Sequence, residues 1–508
     1  MSDHANQITR NASVVAGATL LSRILGFVRD LTVAFALGAG PLADAFFVAF
    51  RLPNLLRRLF AEGSLTMAFV PVFTRTRQVQ GDEQAFTLAR SVQVWLLIIL
   101  GAIVLLAMFF AQPITLLVAP GFSRSPELLA TTATLVRICF PYIVFISAVA
   151  LCMGILNGMN HFLAPALAPC MLNIVLIVAA LSAVVMGFAV PYALSWGVLA
   201  AGAAQWLVQQ PVLRGKGFRW LGPVRLQDPG VKRIGRLMLP SVFGSAVYQV
   251  NILLGTMLAS FLPLGSISYL YYADRLVQFP LGIFGVAIGT AALPSLSGLA
   301  GMMDWKGFGR GLSSSINLTL FISLPAAAGL AGLAVPIVSL LFERGAFAGP
   351  AVEQTAMALQ AYAVGLPAFS CVRPLVSAFY ALEDTRTPVW IAVVCLILNI
   401  SLGLILMQFY DHVGLAAATS CASWANVILL IWALGRKSYL DRLHPSSALG
   451  KILFLSGCIL VGTLLTAGHA LVAFVLIPVW VMAFMGLAVI WRVPEASMLL
   501  GAVRRRKG

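Results

Sequence analysis

Charge is scarce along this chain. Only 10% of its 508 residues are Asp, Glu, Lys or Arg, while 60% are hydrophobic and the mean hydropathy is +0.96. A soluble domain carries roughly 25% charged residues, so a chain this poor in charge belongs in lipid. Acid is scarcer still, with 17 Asp and Glu against 33 Lys and Arg, a formal charge of +16. The seven cysteines lie dispersed through apolar stretches without a CxxC pair, and read as small buried side chains rather than disulfides or thiolate ligands. The five histidines offer no metal-ligand spacing. There is no GxxxxGK[ST] phosphate loop and no GxSxG elbow. The loops are too short to hide a catalytic domain. A nucleotide-driven pump and a serine hydrolase are thereby excluded, and no enzymatic activity, cofactor or metal is expected.

Long apolar runs are what the chain does have. A helix needs about 20 apolar residues to cross the hydrocarbon core. By that ruler fourteen spans are predicted, near 11–37, 42–74, 84–112, 127–156, 161–187, 190–213, 233–262, 265–299, 306–342, 351–382, 387–409, 412–435, 449–468 and 471–491. The short alternating segments of a β-barrel are missing, so the fold class is an all-α polytopic membrane protein. The second, eighth and ninth spans are interrupted by Pro or Gly and are expected to kink. The opening residues MSDHANQITRNA are polar and lack a cleavage site, predicting a cytoplasmic N-terminus that leads into a retained helix. With that end inside, 22 of the 33 basic residues fall in inside segments and only Arg124 and Arg344 in outside loops. The positive-inside rule then puts both termini in the cytoplasm. The charge bias serves topology and anionic headgroups, not nucleic acid.

Nine basic residues remain within or at the mouths of spans, and all nine are arginine: Arg23, Arg29, Arg51, Arg57, Arg58, Arg90, Arg137, Arg275 and Arg373. A flanking charge is served equally well by lysine. The planar guanidinium differs in forking onto carboxylate or phosphate with two parallel hydrogen bonds. On the first span Arg23 and Asp30 share nearly one face, with Gly26 between them. On the second, Arg51, Asn54, Arg58 and Glu62 form a polar stripe beside Arg57, and Pro53 frees a carbonyl one turn back. Such groups line a cavity or pair with one another, because lipid does not tolerate them. Pairing of Arg58 with Glu62, or of Arg29 with Asp30 or Asp44, accounts for some of them. Snorkelling or pairing is the leading reading for Arg51, Arg58, Arg90, Arg137 and Arg373. For Arg23, Arg29 and Arg57 the leading reading is an anion site, since the intramembrane acids Asp30, Asp44, Glu62 and Asp274 are too few to neutralise the set.

The two halves of the chain echo each other. AFRLPNLLRRLFAEG (49–63) aligns with ADRLVQFPLGIFGVA (273–287), placing Arg51 on Arg275 and Phe60 on Phe284. Six-helix lobes repeated in the same orientation imply a pseudo-twofold along the membrane normal and a central cavity. The expected organisation is an Arg-rich N-lobe over 1–213, a basic cytoplasmic loop over 214–232 and a C-lobe over 233–437. Two extra helices follow over 449–491, then a basic tail over 492–508. The second lobe contributes Arg275 and mostly apolar surface, so the cavity is cationic on one side. That suits an amphiphile with an anionic head.

The stretches LSRILGFVRD, DAFFVAFRLPNLLRRLFAEGSLTMAFVPVF, PGF (120–122), FPY (140–142), YYADRLVQFP and FYALEDTRTPV resemble the MurJ/MviN lipid II flippases, from about residue 10 to 440. A looser similarity reaches the wider superfamily of drug/cation antiporters and polysaccharide flippases. The resemblance implies fourteen helices in two lobes. It implies transfer of undecaprenyl-diphosphate-linked disaccharide-pentapeptide from the cytoplasmic to the periplasmic leaflet of the bacterial inner membrane, for peptidoglycan synthesis. It implies substrate contacts at Arg23, Arg29, Arg57 and Arg275, with Asp30 and Asp44 as acidic partners near the diphosphate site and outer gate. The polar stripe adds Asn54 to the expected substrate contacts and the Arg58–Glu62 pair as their support, and Arg29 with Asp44 is the expected gate. Helices thirteen and fourteen match the pair that forms a groove for the lipid tail. Gln278 and Gly255 depart from carboxylate positions of some relatives, so neither a carboxylate at 278 nor sodium coupling is assumed. The expected partners are the lipid-linked precursor and membrane lipids, with room for contacts to cell-wall synthesis proteins, and a monomer is expected. The alternatives are a flippase for another polyprenyl-diphosphate-linked polysaccharide unit, or a drug/cation antiporter. An antiporter needs a carboxylate-dominated cavity, against which the surplus arginines argue.

Overall fold

The computed structural model describes residues 2–58, 65–437, 448–466 and 470–505. Each of the fourteen predicted spans is helical through the body of its described residues. Contacts divide the chain into two compact units, one formed by Met1–Gly265 with Arg344–Phe347, the other by the remainder.

The first unit opens with α1 (Ser2–Leu37) and α2 (Pro41–Leu56), after which the backbone turns π-helical at Arg57 and Arg58. It continues through α3 (Thr66–Gln80), α4 (Asp82–Phe109) and α5 (Ala111–Val118). Then come α6 (Pro126–Cys139), α7 (Tyr142–Gly158), α8 (Leu163–Met186), α9 (Val190–Gly215) and α10 (Pro229–Ala259). The FPY stretch breaks the fourth predicted span into α6 and α7, because Pro141 has no N–H to continue the ladder. The core joins Phe69 and Phe73 of α3 to Phe86 and Leu88 of α4 and to Leu151 and Ile155 of α7. A Cβ at Gly154 would stand 2.7 Å from the Phe69 ring and one at Gly158 2.8 Å from the Phe73 ring, so these two positions admit the rings only as glycine.

The second unit holds α11 (Ser266–Pro280), a π-helical turn over Leu281–Gly285, and α12 (Val286–Gly301). It continues with α13 (Trp305–Gly332), α14 (Ala334–Phe342), α15 (Pro350–Ala381) and α16 (Arg386–Gly435). The eleventh and twelfth spans lie together in α16, which bends at Tyr410 and Asp411. Gly414 lies against the Leu406 carbonyl, which only a sharp reversal there allows. The LEDTRTP stretch is a cap for α16. Asp384 accepts from the Thr387 N–H at 3.0 Å, the Thr387 hydroxyl at 2.8 Å and Lys437 Nζ at 3.0 Å. Last come α17 (Leu449–Thr466), α18 (Ala470–Ile490) and α19 (Pro494–Arg505), with Ile452, Leu455, Ile459 and Phe484 packed on Phe321 of α13.

Two features differ from the sequence expectation. The compact units divide at Gly265, whereas the repeat sets the lobe boundary ahead of residue 233. The helix between, α10, packs on α3, α4 and α5, because its start is held against α4. The predicted kink in the second span is a π turn beginning at Arg57, and the one in the eighth is a π turn beginning at Leu281. Those two positions are equivalent in the repeat that aligns Arg51 with Arg275.

Candidate functional site

The polar residues of the first two spans are placed by α1 and α2. Arg29 lies on α1 and donates to the neighbouring Asp30 Oδ1 from Nη2 at 2.7 Å and from Nε at 3.1 Å. Its Nη1 reaches Asn173 Oδ1 on α8 at 3.0 Å, and Asn173 Nδ2 donates to the Ser22 carbonyl of α1 at 3.0 Å. Gly26 faces this contact: a Cβ there would sit 3.7 Å from the Asn173 amide, an ordinary van der Waals distance. Asp30 and Asn173 are buried, so the guanidinium is fixed by a carboxylate and an amide in a dry setting. The expected pairing of Arg29 with Asp30 is present at 2.7 Å. Arg23 is exposed on the same helix and forms no ion pair among the described residues.

On α2, Asn54 Oδ1 accepts from Arg57 Nε at 2.9 Å. Arg57 is half-buried and stands where α2 gives way to the π turn. A π turn widens the helix and leaves backbone groups outside the α ladder, a feature frequent at functional sites. Arg58 is half-buried beside it, and its predicted partner Glu62 lies outside the described residues. Arg51, expected to pair or snorkel, donates from Nη1 to Thr256 Oγ1 of α10. Asp44, buried on α2, accepts from the Gly265 N–H at 2.7 Å. Gly265 has φ +100°, a conformation that side chains rarely adopt. The PGF stretch also meets the end of α10: the Gly121 N–H donates to Ser260 Oγ at 3.0 Å. A Cβ at Gly121 would come within 1.9 Å of the Ser260 carbonyl. Residues 344–347 close the same unit, with the Ala346 N–H on the Phe35 carbonyl at 2.9 Å near the end of α1.

In the second unit Arg275 lies on α11 with its guanidinium 4.7 Å from the centre of the Tyr271 ring, a cation–π contact. One turn on, Gln278 donates to Asp274. Of the remaining intramembrane arginines, Arg90 and Arg137 hold structural partners. Arg90 pairs with Glu83 at 3.0 Å, and Arg137 Nε donates to the Met108 carbonyl at 3.2 Å.

Asn173, Thr256 and Gly265 are the contacts that the sequence reading did not name. Each lies far along the chain from its partner, Asn173 by 144 residues and Gly265 by 221. The one available signal was a lone Asn in an apolar span, since such residues bond across helices in membranes.

The family model described as lipid II flippase MurJ matches residues 33–490. A probable lipid II flippase MurJ of Rhizobium meliloti is 39% identical over 444 residues, covering 86% of this chain and 82% of the relative. A lipid II flippase MurJ of Burkholderia cenocepacia is 37% identical, covering 83% of each chain. Among solved structures, a lipid II flippase MurJ in an inward closed conformation superposes with a TM-score of 0.80 at 28% identity, covering 94% of this chain and 98% of its own. An inward-facing MATE family multidrug resistance transporter superposes with a TM-score of 0.67 at 16% identity over 84% of this chain and 98% of its own, a likeness of fold alone. This chain belongs to the lipid II flippase MurJ family.

Proposed function

We propose that this chain carries lipid II from the cytoplasmic to the periplasmic leaflet of the bacterial inner membrane, with both termini in the cytoplasm. The observation that carries the reading is the pair of oriented guanidiniums on the first two spans, in a chain that matches flippases along most of its length. A diphosphate asks for several fork-shaped donors in a setting with little competing water. Arg29, fixed by Asp30 and Asn173, and Arg57, fixed by Asn54 at a helix break, are such donors. Arg23 and Arg275 complete the proposed set, and Arg58 with Glu62 supports it. No bond is made or broken in this step.

Alternating access follows from the gate residues in the proposal. Asp44, holding the Gly265 N–H or pairing with Arg29, seals the periplasmic end while the head group enters from the cytoplasm. Outward opening breaks that contact, and a buried acid left without its donor is costly. The polyprenyl tail stays in lipid along the groove of α17 and α18. Each unit of charge that crosses a 100 mV potential is worth about 2.3 kcal/mol, enough for the membrane potential to reset an arginine-rich site.

Conditional depletion in a host relying on this chain tests the reading. The expected result is accumulation of lipid II in the cytoplasmic leaflet. Accumulation of a different polyprenyl-diphosphate glycan, with lipid II distributed normally, contradicts it.

A further inference from the structure

The segment joining α9 to α10 is expected to be a plain loop, yet it is bound along one face of α4. Phe218 is buried edge-on against Phe86. Arg90 donates to the Leu221 carbonyl at 3.4 Å, the Ser91 hydroxyl accepts from the Arg225 N–H at 2.9 Å, and Trp95 Nε1 donates to the Leu226 carbonyl at 2.9 Å. Residues 86, 90, 91 and 95 recur at helical spacing, so the segment runs along α4 for about two and a half turns. Trp220 Nε1 ties it to Gln210 of α9 at 2.5 Å, and Leu88 packs on Gly230 where α10 begins.

These bonds satisfy the backbone on the protein side and turn the apolar side chains outward. Leu221 is 91% exposed, Leu226 51% and Val224 41%. Lys216 and Arg219 stand exposed just before them and Arg225 among them, while Asp228, the one acid of 216–228, is occupied by the Gly230 N–H at 2.7 Å. Water is a poor neighbour for such a surface. The helix beneath it has the length and apolarity to cross a membrane. Just beyond Trp95, Leu97, Ile98 and Ile99 continue an exposed apolar face on α4. The apolar tips of the segment are therefore continuous with a lipid-facing surface, and their arginines lie where that surface ends.

We propose that residues 216–228 form a membrane-surface strap. Leu221, Val224 and Leu226 enter the boundary between headgroups and acyl chains, and Arg219 and Arg225 pair with the phosphates of anionic phospholipids. A segment held in place loses little entropy on docking, and a basic residue near an anionic surface strengthens binding by about fivefold. Under the proposed orientation this is the cytoplasmic leaflet. The strap then fixes the depth of α4 and the start of α10.

The test places a nitroxide on Leu221→Cys in the full chain, with the exposed Cys421 and Cys458 replaced by serine, in nanodiscs of phosphatidylcholine with or without phosphatidylglycerol. With the anionic lipid present, oxygen is expected to relax the label several-fold more than a water-soluble nickel chelate does. The Arg219→Gln/Arg225→Gln pair should also retain less phosphatidylglycerol on purification, by about fivefold per arginine. A label reached freely by nickel in the anionic discs overturns the proposal and makes the strap a surface for a soluble partner. So does retention unchanged by the arginine pair in protein whose Phe218–Phe86 packing is intact. Neither readout depends on substrate or on flipping, so failure here is distinguishable from failure of the flippase reading.

Discussion

The two π turns make an informative pair. They begin at equivalent repeat positions, Arg57 in the first half and Leu281 in the second, and each follows a proline in the same helix, Pro53 and Pro280. Proline removes an N–H from the ladder in both, and the backbone turns π-helical after it. The chemistry then diverges. The first turn begins with Arg57, fixed by Asn54, and Arg58. The second begins Leu281, Gly282, and its surroundings are apolar and small: Gly285, Ile288, Ala326 and Leu366, with the hydroxyls of Thr319, Ser323 and Ser370. A shared backbone defect thus carries charge in one half alone. The difference separates what the repeat supplies, a place for the helix to bend, from what the anion site needs, guanidinium on one side.

The sharpest way to break this comparison is to remove the charge. Arg57→Ala or Arg29→Ala should abolish complementation at normal protein levels, each losing about 1.5–3 kcal/mol of charge-assisted bonding, roughly 10- to 150-fold in affinity. Arg57→Lys should also be impaired, because an ammonium loses the fork, whereas Leu281→Ala at the equivalent place should leave transport within a few-fold. Growth supported equally by all of these variants would erase the distinction. Next in size is a chain ending at about residue 440, which removes α17–α19. It should handle a short-tailed precursor analogue better than the full-length lipid in a reconstituted flipping assay, and equal handling of both removes the groove.

Asn173→Ala frees Arg29 from its cross-helix amide and should weaken binding by about tenfold or less, leaving the Asp30 contact in place. Asp44→Asn keeps an acceptor for the Gly265 N–H but removes its charge. It should raise labelling of a single cysteine at Asn54 by an impermeant reagent from the periplasmic side, and unchanged labelling argues against the latch. The smallest effect concerns the second half alone. Burial raises the Asp384 carboxyl, but the Thr387 N–H and hydroxyl and the Lys437 ammonium outweigh it and hold the acid below its ordinary value. A depressed acid contributes stability that is present above its unfolded pKa and fades as pH falls through the folded one. Thermal stability should therefore decline on acidification below about pH 4, the ordinary range of an Asp. Asp384→Asn should flatten that decline.

Much of this is legible in the amino-acid sequence alone. Spans are written in runs of about 20 apolar residues, and the fourteen segments follow from that ruler alone. Interruptions of the second and eighth spans are expected from their Pro and Gly, and π turns follow Pro53 and Pro280 there; the break at Pro141 in the fourth span is not expected. The choice of Arg over Lys inside the spans identified the charged half. What stayed hidden is nonlocal. Asn173, Thr256 and Gly265 reach their partners across 144 to 221 residues, and a single polar residue on an apolar helix has no spacing to reveal its partner. The same holds for the strap. Its register on α4 depends on Phe218 finding Phe86 and on Ser91 accepting from Arg225, and neither is a pattern in sequence. The division at Gly265 also follows from packing, since the repeat reports ancestry and α10 packs with the helices it touches.

The central claim is that guanidiniums of the first two spans hold a diphosphate head. Its most direct test is retention of undecaprenyl-diphosphate-linked precursor by the purified chain, measured as bound lipid per protein for the unaltered sequence, Arg57→Ala, Arg57→Lys and Leu281→Ala. The account predicts full retention for the unaltered chain and for Leu281→Ala, loss for Arg57→Ala, and an intermediate value for Arg57→Lys. Equal retention by all four would contradict it.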